Sequence, residues 1–197
     1  MKLHLGAFNQ GIEGWVNTDI TPHIWISKVI GLPFVLSKLG VISKDLFLQH
    51  KQGAFKKLSY VNLCKPLPYE MNSVCAIFSS HVFEHLFMDE VEKLINECFR
   101  VLKSGGVCRV VVPDLAKIIL LYNAVDPRKF ITDIYEVNTR GAVKNSHHSG
   151  FTGQFLTTLF TQAGFSECKI LSYRVGNCPD IYKLDNRPES LFFEAVK

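Results

Sequence analysis

Residues 73–115 read SVCAIFSSHVFEHLFMDEVEKLINECFRVLKSGGVCRVVVPDL. The stretch parses as strand, turn, helix, glycine turn and strand, and the rest of the chain is arranged around it. Val74 to Ser80 is a short apolar, β-prone run of the kind produced by a strand buried on both faces. Asp89 is placed to cap a helix start, with Glu92 three residues later completing a capping box. Val91, Leu94, Ile95, Cys98 and Leu102 then recur at helical spacing, giving one apolar stripe for a sheet. Gly105 and Gly106 are expected to stop this helix, with Lys103 at its negative end. Val107 to Val112 is a second buried strand, closed by Pro113. Two strands joined this way are parallel, and the crossover is right-handed.

Working outward, 197 residues suffice for one ample core, so a single domain over 1–197 is expected. The hydrophobic share of 47% and charged share of 20% are those of a soluble globular chain. A net charge of +4 with no basic block gives no support to nucleic acid as a partner. The six cysteines (64, 75, 98, 108, 168 and 178) form no CxxC pair and mostly sit in apolar runs. They read as buried thiols in a reducing compartment. No targeting signal precedes Lys2 to Leu5, which already reads as structure, so a cytoplasmic location is expected.

Strands are expected at Leu3 to Ala7, Trp15 to Ile20 and Leu58 to Leu63, and later at Cys168 to Val175 and Ser190 to Val196. Between the second and third lies an apolar insert, about 23–55, broken by Gly31 and Pro33 and interrupted by Lys28 and Lys38. Its apolar run is too short for a membrane span. It reads as a pair of helices packed on the sheet, with a lid and a membrane-surface contact as the other readings. A second insert, about 115–150, holds a helix from Leu115 to Ala124, another after Pro127, and a polar turn from Thr139 to Gly150. Thr152 caps a later helix that Gly164 closes. The pattern is that of an α/β sandwich with a mostly parallel sheet of about seven strands.

Ligands of such sheets bind beyond the carboxyl ends of the strands, near the point where strand order reverses. The residues there are Gly6 to Asn9, Asp19, Asn62, Leu63, Ser79 to His81 and Asp114. A carboxylate closing the second strand suits the two hydroxyls of a ribose, and the Asn62 amide suits a purine edge. Taken singly, each is better explained as a turn former at a strand end, and only their spacing together carries more. A nicotinamide dinucleotide fits poorly, because GxGxxG is absent and Asp19 follows Gly6 by only 13 positions.

LHLGAFNQGIEGWVNTDI, LCKPLPYEMNSVCAIFSSHVFEHL and FRVLKSGGVCRVVVPDL, in that order, resemble the motifs of the small class I S-adenosylmethionine-dependent methyltransferases, type 11-like group. AGF at 163–165 and the terminal LDNRPESLFFEAVK also match. The resemblance implies a Rossmann-like, seven-stranded, mostly parallel sheet with helices on both faces and an antiparallel last strand. It implies S-adenosyl-L-methionine as cofactor. The methionine part would lie over Gly6, Ala7 and Phe8, the ribose on Asp19, and adenine against Asn62 and Leu63, with Ser80 and His81 on the reactive side. Glu84 and His85 match the EH pair that follows. Phe8 stands where the family has a second glycine, Asn62 where Asp is frequent, and Ser104 where the turn has proline.

The expected activity is methyl transfer to a small or medium acceptor, a small molecule or saccharide, at oxygen. A hydroxyl acceptor gains from a nearby base. His81 ranks first for that role, ahead of His147, His148 and Asp114; His85 reads as structural, and Asp114 equally as a helix cap. His147 and His148 are adjacent without a carboxylate or cysteine at ligand spacing, so no metal is expected. Arg187, Glu189 and Glu194 read as structural pairs. The two inserts would roof the acceptor side. Phe8 motivates one alternative, a binding or scaffold protein with a degenerate cofactor loop. The 23–55 insert motivates another, a membrane-surface methyltransferase acting on a lipid-linked sugar.

Overall fold

A computed structural model describes residues 1–135 and 146–197. Part of the expected turn at 139–150, including Asn145, falls outside the described residues. The strands are β1 (Lys2–Leu5), β2 (Val16–Asp19), β3 (Leu58–Tyr60), β4 (Val74–Ser80), β5 (Leu102–Val112), β6 (Glu167–Leu171) and β7 (Leu191–Val196). They form one seven-stranded sheet in the order β3-β2-β1-β4-β5-β7-β6. β1 pairs parallel with both β2 and β4, β4 pairs parallel with β5, and β7 lies antiparallel between β5 and β6. Strand order therefore reverses between β1 and β4, and a crevice opens at their carboxyl ends.

Helices α4 (Met88–Val101) and α7 (Gly153–Gln162) cover one face. Val91, Leu94, Ile95 and Cys98 of α4 meet Leu156 and Phe160 of α7 and Leu3, Leu5, Ile77 and Val110 of the sheet in one buried cluster. The other face is covered largely by chain from Gly176 to Asp185, including the four-residue α8 (Ile181–Leu184). Cys178 and Leu184 pack there on Ala76, Phe78, Val111 and Phe192.

That covering segment is pinned by charge. Arg109, fully buried on β5, donates from Nε to Asp185 Oδ1 at 2.9 Å and from its two terminal nitrogens to Asp185 Oδ2 at 2.5 Å and Glu194 Oε1 at 2.8 Å. Glu194, directly opposite on β7, also accepts from the Asn177 and Cys178 backbone N–H groups. Glu194 thus pairs with Arg109 rather than with its sequence neighbours, whereas Arg187 and Glu189 face a cleft.

The central unit differs from the sequence expectation at both ends of its helix. α4 starts two residues earlier than expected: Phe87 is the N-cap residue and Glu90 Oε2 accepts from its N–H at 3.0 Å. Asp89 pairs with Lys93 one turn on instead. The helix stops at Val101 because Leu102 is already extended and paired with Val74. The pairing then jumps to Ala76 opposite Val107, which sets Gly105 and Gly106 within an irregular start of β5. A Cβ on Gly106 would meet Lys103 O at 2.8 Å, so only glycine lets the chain fold back this closely.

The first insert is three helices, not two: α1 (His23–Ile26), α2 (Leu32–Lys38) and α3 (Lys44–Gln52). Part of it packs on the sheet as expected, with Ile24 and Phe55 buried against Leu58 of β3 and Ala7. α2 buries no side chain, and Trp25, Ile30, Phe34, Leu39 and Val41 are exposed. The second insert carries α5 (Leu115–Leu120) and α6 (Arg128–Tyr135). Among the described residues no helix is long and apolar enough to cross a membrane.

One buried base makes stability depend on pH. His4 on β1 is 4% exposed, lies edge-on to Phe78, and its Nδ1 has no partner among the described residues. Burial lowers its pKa from 6.5 to about 4, against a smaller opposing contribution from Asn17. The unfolded chain then binds the extra proton between those values, so stability falls as pH drops through that window and levels off below it. The loss should reach about 3 kcal/mol. Urea unfolding across this range should show the slope, and His4→Phe should flatten it; an equal slope in the variant would assign the effect elsewhere.

Candidate active site

The site begins where β1 ends. Gly6 has φ +67°, and a Cβ there would stand 2.2 Å from Val82 Cγ2, so both conformation and space require glycine. Ala7 turns inward and donates its N–H to Thr18 O at 2.8 Å. Phe8 also takes a left-handed conformation, φ 41°, which a glycine would enter without strain. Its N–H donates to Asp19 Oδ2 at 2.9 Å, and its ring makes edge contacts with Phe55 and His23, at 5.4 and 6.1 Å between centroids. The side chain that replaces glycine is thus held against the first insert.

Asp19, at the end of β2, also accepts the Thr21 N–H on Oδ1 at 2.7 Å. Asn62 Oδ1 accepts the Cys64 N–H at 2.9 Å, closing the turn after β3. Burial, with Glu90 adding to it, pushes the Cys64 thiol up, so it stays protonated and unreactive near neutrality.

At the end of β4 the backbone turns sharply, and His81 adopts φ 53°. A non-glycine residue in this region is strained, and such strain is typical of positions that aim a side chain at a site. His81 Nε2 lies 2.9 Å from Ser190 Oγ, and Nδ1 lies 3.0 Å from Oε1 of Glu84. Glu84 is 1% exposed and sits in the 3-10 turn Phe83–His85. Asp114 caps α5, accepting from Ala116 N and Lys117 N, with Lys117 Nζ 3.4 Å away.

A cleft of about 1490 Å³ runs along these strand ends. Gly6, Phe8, Asp19, Asn62, Leu63, His81, Asp114 and His147 line it; Ala7, Ser80 and His148 do not. From the second insert Lys117, Ile118, Leu121, Asp133 and His147 contribute, while no residue of 23–55 reaches the wall. The cleft adjoins a cavity of about 300 Å³ between α5, α6 and residues 147–151, with Glu84 and His147 on the wall of both. The adjacent histidines part company: His147 faces these spaces, whereas the His148 ring stacks on Phe87 at 4.4 Å and touches only the smaller one. Sequence reasoning gave Glu84 no role beyond its motif and missed Ser190. A carboxylate inside the apolar run HVFEHL was the available signal for the first; nothing local marks the second.

Residues 42–110 match the family model of the methyltransferase domain. The whole chain superposes on a SAM-dependent methyltransferase from Thermotoga maritima at a TM-score of 0.59 and 13% identity, covering 81% of that chain. A SAM-dependent methyltransferase from Archaeoglobus fulgidus gives 0.59 and 14%, with 85% of its chain covered. One from Methanosarcina mazei gives 0.55 and 16%, with 91% covered. No curated protein matches the chain.

Proposed function

We propose that the chain is a class I S-adenosylmethionine-dependent methyltransferase of the type 11-like kind, a reading supported by the family-model match over 42–110 and the shared fold, and that it methylates an oxygen of a small or medium acceptor. The residues present fit the cofactor. Gly6 lets the backbone turn on the cleft wall directly against Val82, where any side chain would clash, and the Phe8 ring is drawn toward Phe55. Asp19 keeps lone pairs for the ribose hydroxyls beyond the two backbone N–H groups it accepts, and Asn62 and Leu63 form the wall assigned to adenine. The bound cofactor supplies a methyl group already activated by its sulfonium. What remains for the chain is to orient the acceptor, exclude water and take up a proton.

His81 supports the choice of oxygen. It stands on the cleft wall at the switch point, with Nδ1 beside a buried carboxylate and Nε2 toward Ser190 Oγ. With Nδ1 protonated beside that carboxylate, Nε2 is left to accept a proton from an acceptor hydroxyl, directly or through Ser190. Lys117, Ile118, Leu121 and His147 would enclose the acceptor.

The test is turnover with a panel of hydroxyl and amine acceptors, read as S-adenosylhomocysteine formed. His81→Asn keeps a residue that tolerates the left-handed backbone. It should lower turnover with a hydroxyl acceptor by about 100-fold, the lower range for general base catalysis, while cofactor affinity stays within about threefold. Undiminished turnover would remove His81 from the chemistry, and turnover confined to amines would overturn the oxygen assignment.

A further inference from the structure

We propose that Glu84, His85 and His147 form a binding site for a divalent transition-metal cation at the junction of the cleft and the smaller cavity. One potential ligand atom from each of the three lies within 4.8 Å of the other two. The expectation that no metal binds paired His147 with His148, its neighbour in sequence. The fold pairs it instead with the EH dipeptide after β4: His148 N and Ser149 N both donate to Glu84 O, at 2.7 and 3.1 Å, and bring residues 147–149 alongside that turn.

Glu84 is the residue that calls for a ligand. Its carboxylate is buried, and neither oxygen receives an aligned hydrogen bond from a described residue. His81 Nδ1 stands 3.0 Å from Oε1, an ion-pair distance at an angle that makes no hydrogen bond. A buried carboxylate in this condition is costly, and a bound cation is one of the few partners that offsets the cost.

Each of the two histidines has a backbone carbonyl beside its Nδ1, a contact common among metal-ligating imidazoles. His147 Nδ1 lies 3.0 Å from Ile134 O, and His85 Nδ1 lies 3.3 Å from Ser146 O. A backbone carbonyl accepting from Nδ1–H fixes the tautomer and places the ring's lone pair on Nε2, the arrangement that steadies an imidazole toward a metal. Two imidazoles and one carboxylate form the donor set of catalytic zinc and non-haem iron centres, which keep open positions for a further ligand; magnesium and calcium prefer oxygen alone. A shell with metal–ligand bonds of about 2.0–2.1 Å would draw the three side chains inward on binding. All three residues line the cleft. The open positions would therefore face the acceptor, where the cation would hold and acidify a hydroxyl. That last role rests on the methyltransferase reading; the cation site itself does not.

The experiment uses the untagged full chain, stripped with a chelator and titrated with Co2+ or Zn2+ alone, with no methyl donor present. One equivalent of Co2+ should bind with visible absorption bands, and Zn2+ should displace it. His85→Ala and His147→Ala should each weaken binding at least tenfold while thermal unfolding without cation stays near wild type. Should Glu84→Gln fail to fold, the two histidine variants decide. Failure to take up one equivalent, or an unchanged titration in either histidine variant, would overturn the site. A chain that binds S-adenosylhomocysteine but no cation keeps the methyltransferase reading and loses this one.

Discussion

Asp19→Ala should weaken the binding of S-adenosylhomocysteine by about 30- to 100-fold, or about 2–3 kcal/mol. The carboxylate has two tasks that fail together. It accepts the N–H groups of Phe8 and Thr21 and so ties the loop after β1 to the segment after β2. It also stands on the cleft wall as the carboxylate assigned above to the ribose hydroxyls, and hydrogen bonds to an ionised group are the stronger kind. Asp19→Asn keeps one acceptor oxygen and should fall between wild type and alanine. Calorimetry measures all three, and a loss below about threefold in the alanine variant would refute the ribose assignment.

The other large effect is on stability. Arg109→Met should cost about 3–5 kcal/mol, the range for removing one member of a buried ion pair. That is a large share of the 5–15 kcal/mol that holds a typical domain. The arginine faces two carboxylates, and its removal leaves Asp185 and Glu194 buried without a counterion. Their remaining donors, the N–H groups of Arg174, Asn177 and Cys178, also anchor the chain that covers the second face, so that layer should loosen as well. At roughly 2–4 °C per kcal/mol for a chain of this size, the melting temperature should fall by about 6–20 °C. Replacing Arg109, Asp185 and Glu194 together by apolar residues should recover part of the loss, because no charge is then stranded. A single variant that melts with the wild type would show the network to be dispensable.

What could be read from the sequence follows from how local each signal is. The β4–α4–β5 unit was legible because apolar runs and a 3.6-residue stripe are written within it, and the ordered motifs carried the sheet topology. Its helix ends were not, since Leu102 leaves the helix to pair with Val74, a contact made across 28 positions. The 23–55 insert looked like core because it is apolar, yet burial needs a broad partner surface: Ile24 and Phe55 find one at Leu58, while α2 meets α3 through Phe34 and Phe47 and buries no side chain. Arg109 reads as an ordinary interruption of a strand until Asp185 and Glu194 arrive from 76 and 85 positions away. The candidate site shows the same limit. Gly6, Asp19 and His81 stand at strand ends, where a general rule finds them. Ser190 and the approach of His147 to Glu84 depend on chain returning from far downstream.

The central claim is that this cleft binds the cofactor with a phenylalanine in place of the second glycine. Calorimetric titration of S-adenosylhomocysteine into the purified chain tests it most directly. Because the Phe8 ring rests against Phe55 and His23, one ligand should bind per chain with a dissociation constant in the micromolar range, ordinary for a small-molecule site. No heat and no thermal shift at millimolar ligand would contradict the account and leave the methyltransferase fold serving as a scaffold.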